Sequence, residues 1–79
     1  MKIHDRINNL LIKVNRYKEQ NGYPLYVVYK YNGVYTLSEK NRYSGIYYIL
    51  ALGLNDILVK LEKEIEWYEL DKELLANGN

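Results

Sequence analysis

Apolar residues at Ile3, Ile7, Leu10, Val14 and Tyr17 recur at spacings of 4, 3, 4 and 3. That period predicts an amphipathic helix over about residues 3–20. Asn21-Gly22 stops it, since both residues tolerate positive φ, and Pro24 keeps it from resuming. From Leu25 to Lys40 the period drops to two, with Asn32-Gly33 dividing the run in half. A two-residue Asn-Gly turn between β-like halves predicts a hairpin over about 25–40. It sets Tyr31 opposite Val34, Tyr29 opposite Thr36 and Val28 opposite Leu37. One hairpin face is then Leu25, Val27, Tyr29, Tyr31 and Val34; the other is Tyr26, Val28, Tyr35 and Leu37. Both are apolar enough to bury, so alternation does not choose between them, and the first is taken as the core face.

Helical spacing returns at Leu50, Leu54, Ile57, Leu61, Ile65 and Tyr68. With Ser44 as a suitable N-cap, this predicts a second helix over about 45–76, ended by Asn77-Gly78. At ~1.5 Å per residue it is roughly 45 Å long, against roughly 25 Å for the first. Two strands cannot cover the difference. Either Gly53 breaks the helix, with Asn55 capping a new one, or its distal half packs on another chain. The expected fold is α+β, one domain over 1–79, in the order α-β-β-α with a two-stranded antiparallel hairpin and a long C-terminal helix.

The chain has 79 residues and no cysteine, so its core is small and without disulfides or thiolate metal sites. Charge appears within the first six residues, and the longest uncharged stretch, Tyr43 to Asn55, is too short to span a bilayer. A cytoplasmic protein without a membrane segment is expected.

Net charge is +1, but residues 1–45 carry +5 and residues 46–79 carry −4. Lys2, Arg6, Lys13 and Arg16 form a basic stripe on the first helix, with Asn9 between them. Glu62, Glu66, Glu69 and Glu73 form an acidic stripe on the second. Like charges at i,i+4 repel, and pairing of the two stripes relieves both. The alternatives are phosphates tracked by the basic stripe, or a basic partner met by the acidic one.

Ten tyrosines are many for this length. Tyr26, Tyr29, Tyr31 and Tyr35, near Lys30 and Arg42, could stack single-stranded bases. Tyrosine also packs half-buried sheets well, and the hairpin has few cations to hold a phosphate backbone. Trp67, Leu70 and Leu74 lie at i, i+3 and i+7, rotated away from the core stripe, and form the candidate protein interface. Catalysis finds no support. His4 is the one histidine, no serine has a base at hand, and the glycines are scattered. No cofactor or metal is expected.

The Tyr-Asn-Gly-Val-Tyr hairpin turn, the small size and the abundance of Ile, Lys, Asn and Tyr (34 residues together) are similar to small accessory proteins of low-GC Gram-positive phages and prophages. That resemblance implies binding or inhibition of a host protein. The expected function is therefore a non-enzymatic protein-interaction module, homodimeric through the second helix. The alternative is a small nucleic-acid-binding regulator using Lys2, Arg6, Lys13 and Arg16 with Tyr29 and Tyr31.

Overall fold

The computed structural model describes the backbone of residues 2–77 and the side chains of residues 2–70. The elements are α1 (Ile3–Gln20), β1 (Tyr26–Tyr31), β2 (Val34–Lys40), β3 (Tyr47–Leu52) and α2 (Leu54–Asn77). The strands make one antiparallel sheet in the order β1-β2-β3. The fold is α+β as expected, but with three strands instead of two.

α1 ends in a glycine cap. Gly22 sits at φ +71°, its N–H bonds the Glu19 carbonyl, and the Tyr23 N–H bonds that of Lys18 at 2.8 Å. These two hydrogen bonds close the last turn and send the chain back along the helix. Asn32 (φ 50°) and Gly33 (φ 78°) both take left-handed conformations, as a tight two-residue hairpin turn demands. The register pairs Tyr31 with Val34, Tyr29 with Thr36 and Val28 with Leu37, as the sequence predicts.

The expected helix over 45–76 is corrected. Its first part is a turn followed by β3, and Ser44 caps no helix. Asn41 organises that turn: its side-chain oxygen accepts from the N–H groups of Tyr43 and Ser44, and its carbonyl from that of Gly45. The Ser44 hydroxyl accepts from Ile46 N–H at 3.2 Å. Gly45 and Gly53 bracket the strand at φ +72° and +86°, conformations that a right-handed helix cannot pass through. Between them, Ile46-Tyr47-Tyr48-Ile49 is β-branched and aromatic, which favours extended backbone. The spacing from Leu50 to Leu54 imitates a helical step but spans a strand end. Gly53, not Asn55, precedes α2, its carbonyl accepting the first helical bond from Ile57 at 3.0 Å.

Both helices pack on one face of the sheet. Ile7 and Val14 from α1, Tyr26 and Leu37 from the sheet, and Ile57, Leu61 and Ile65 from α2 form the buried core. Ion pairs Arg6–Glu62 and Lys13–Glu69 advance together along the chain, so the helices run parallel. The core face is thus Tyr26, Val28, Tyr35 and Leu37, the reverse of the expectation from the hairpin alone. Alternation was ambiguous there, and the choice is made by helix stripes outside the hairpin. Among the described residues, no helix is long and apolar enough to cross a membrane.

Candidate interaction surfaces

With the helices on one side, no other described element covers the opposite side of the sheet. Strand alternation puts Val27, Tyr29 and Tyr31 of β1 there, with Val34, Thr36, Ser38 and Lys40 of β2. Across a bulge between Leu37 and Ser38, β3 adds Tyr47, Ile49 and Leu52. Tyr31, Val34, Tyr47, Ile49 and Leu52 are all exposed. The centre is sealed by its own side chains. Tyr29 and Tyr47 meet edge to face at 6.2 Å, and the Tyr29 hydroxyl shares a 2.7 Å hydrogen bond with Ser38, which is fully buried. Val27, Tyr29, Tyr31 and Tyr47 line an open groove of about 490 Å³. A second groove, along Pro24, Leu25, Val27, Lys40 and Arg42, adjoins it at Val27. Lys40 holds its ammonium 5.9 Å from the Tyr47 ring, and Arg42 donates to the Tyr23 carbonyl at 3.1 Å. No strand residue on this outer face is acidic.

The helix pair absorbs much of the predicted charge. Arg6 reaches Glu62 and Lys13 reaches Glu69, each at 2.7 Å, both pairs half-exposed. The hydrogen bond and charge of Glu69 raise the Lys13 pKa above the ordinary lysine value. Lys2, Arg16 and Glu66 are exposed, while Glu73 lies outside the described side chains. The basic stripe and Tyr29/Tyr31 are on opposite sides of the molecule, so the structure does not bring the two halves of the expected nucleic-acid site together. Tyr35 faces the helices, where His4 meets its ring edge to face at 5.1 Å.

Trp67 and Leu70, two of the three expected interface residues, are 55% and 54% exposed near the distal end of α2. Trp67 rests edge-on against Tyr68 at 4.9 Å, and Tyr68 stacks on Tyr17 at 5.3 Å. The Leu74 side chain lies outside the described residues.

One polar cluster escaped the sequence reading. Lys18 is 5% exposed, and its ammonium stands 4.1 Å from the Tyr26 ring centre. The Tyr26 hydroxyl donates to Glu64 at 3.0 Å, and Lys60 pairs with the same carboxylate at 3.3 Å. Burial lowers the Lys18 pKa, with Glu39 and Glu64 acting the other way. Burial, then Glu64, raises the pKa of Tyr26 and of Tyr68. Lys18 precedes Tyr23 and Tyr26 by five and eight residues across the Asn21-Gly22 turn, a spacing that gives no local hint that both rings roof its ammonium. The missing outer-face residues Tyr47 and Ile49 were legible in principle, as a β-branched and aromatic run between two glycines. Among the described residues, no group of three His, Cys, Asp or Glu side chains could hold a metal ion.

No protein-family model, curated protein or solved structure matches this chain.

Proposed function

We propose that the protein is a non-enzymatic interaction module that docks another protein on the outer face of its sheet. The observation that carries this reading is the contrast across the sheet: the inner face is closed by two helices, and the outer one is as apolar but open. Contiguous exposed apolar surface of this kind marks interaction sites in soluble domains. The partner is a surface with an apolar centre to meet Val27, Tyr31, Tyr47 and Ile49, and an acidic rim to meet Lys40 and Arg42. The resemblance to phage accessory proteins makes a host protein the natural candidate, bound and inhibited by occlusion. Trp67 and Leu70 offer a smaller, separate patch.

A single-stranded nucleic acid is the second reading, favoured by three tyrosine rings and a cation around one groove. Two outer-face cations supply few phosphate contacts, whereas Arg6 and Lys13 are paired elsewhere. Affinity capture from a low-GC bacterial lysate tests both readings. A protein retained by the wild type, lost with Tyr31→Glu and kept with Trp67→Ala supports outer-face docking. Loss with Trp67→Ala alone moves the site to α2. A gel shift of single-stranded DNA or RNA at ~50 mM salt, abolished by Tyr31→Glu, supports the second reading instead.

A further inference from the structure

β1 and β3 are the two edges of the sheet, and only one is protected. At β1, the Asn15 side chain accepts from Tyr26 N–H at 2.8 Å and donates to its carbonyl at 2.9 Å. Pro24 precedes this strand, and Lys30 puts a charge in its exposed half. These are the usual means of blunting an edge. β3 carries no proline and no charge from Ile46 to Leu52, and Tyr48, Ile49 and Leu52 are exposed. Its bulge interrupts only the second half, after Ile49.

We infer that β3 pairs antiparallel with β3 of a second copy, joining two sheets into one of six strands. The Asn41 N–H bond to the Ile46 carbonyl fixes the alternation along β3, so the backbone groups of Tyr47 and Ile49 point away from β2. A two-fold axis at Tyr48 sets Tyr47 opposite the partner's Ile49 and the two Tyr48 rings against each other. The flank of α2 beside this edge is self-complementary. Leu50, Ala51, Asp56, Val59, Lys60 and Lys63 line a groove there. Asp56 and Lys63 are two turns apart with exposed Val59 between them. An antiparallel second helix places Asp56 beside the partner's Lys63, and Lys63 beside the partner's Asp56. Tyr47, Tyr48, Ile49, Leu52 and Val59 together expose on the order of 500 Å² per chain, against about 800 Å² per partner in a standard interface. Strand backbone and the charged α2 flank supply the rest. The assembly leaves Val27, Tyr29 and Tyr31 of the docking face open and shares Tyr47 and Ile49 with it, so Tyr31 is the position that separates the two proposals.

Sedimentation equilibrium of the full chain tests this. The expected species is twice the 9.4 kDa chain mass. Tyr48→Lys, which opposes two ammonium groups at the axis, raises the dimer dissociation constant at least tenfold while circular dichroism keeps the native spectrum. Asp56→Lys alone and Lys63→Asp alone also weaken the dimer, and the double swap in one chain restores it. That rescue reports on antiparallel pairing, which a merely unfolded variant cannot imitate. A monomeric wild type overturns the inference, as does a dimer that persists in Tyr48→Lys but dissociates in Trp67→Ala. Tyr31→Glu leaves the dimer intact, so failure of outer-face docking is read separately.

Discussion

The two faces of the sheet differ less in composition than in what lies against them. Tyr26, Val28, Tyr35 and Leu37 on the inner face match Val27, Tyr29, Tyr31 and Val34 on the outer face in kind and number. Yet Tyr26 and Leu37 are buried, whereas Tyr31 and Val34 are largely exposed. The helices make the difference, because their apolar stripes close one side and no described residue closes the other. Hydrophobic residues inside is a one-way rule, so a second face with this much exposed apolar surface carries more information than the core does.

Substitutions across this divide should separate stability from binding. The largest effect is expected at Leu37, which is fully buried between sheet and helices. Leu37→Ala should cost about 2–5 kcal/mol by chemical denaturation, through lost transfer energy and the cavity left behind. Val34→Ala, on the outer face at an exposed position, should change stability by less than about 0.5 kcal/mol. Comparable losses at both sites would mean the outer face is covered in solution.

Next in size is the junction that turns the chain from β3 into α2. Gly53→Ala should destabilise by about 1–2 kcal/mol, the cost of a left-handed conformation for an L-residue. A Cβ there meets nothing within 4 Å, so the effect is conformational, and a neutral result in a thermal melt would contradict the positive φ of +86°.

The polar cluster that clamps the inner face gives a pH signature. The Tyr26 and Tyr68 phenols ionise above the ordinary tyrosine range because burial disfavours their charged forms. Their folded pKa exceeds the unfolded one, so their contribution is full below pH ~10 and is lost as pH rises through the folded values. Lys18 acts oppositely: its lowered pKa is a cost while it stays protonated, relieved as pH rises towards the unfolded lysine value. Ultraviolet titration of Tyr26→Phe should lose a late-ionising phenol that Tyr31→Phe retains.

The smallest effect is expected at the helix seam. Glu62→Lys with Glu69→Lys should lower the melting temperature slightly, and Arg6→Glu with Lys13→Glu in the same chain should restore part of it. The coupling should shrink at high salt, since both pairs are half-exposed. Additive changes would mean the pairs do not form in solution.

What could be read from sequence was local. α1 and the hairpin register follow from a stripe at helical spacing and one Asn-Gly pair, each decided by residues next to each other. β3 was not read because Leu50, Leu54 and Ile57 continue the true α2 stripe backwards across Gly53. The two bracketing glycines outweigh that coincidence. The core face was illegible for a different reason: two equivalent faces are resolved only by elements far away in the chain. Pairing of Arg6 and Lys13 with the acidic stripe was anticipated from charge alone, whereas the burial of Lys18 depends on how Tyr23 and Tyr26 return over α1.

Val27 and Val28 are adjacent residues of one type on opposite faces, and they give the most direct test of the division. Val28 packs against the core, and Val27 lines the outer groove. Val28→Asp should unfold the protein or lower its melting temperature severely, because an unpaired carboxylate enters the core. Val27→Asp should keep the native melt and lose the captured partner. Equal destabilisation by the two substitutions, or a partner still retained by Val27→Asp, would contradict the account.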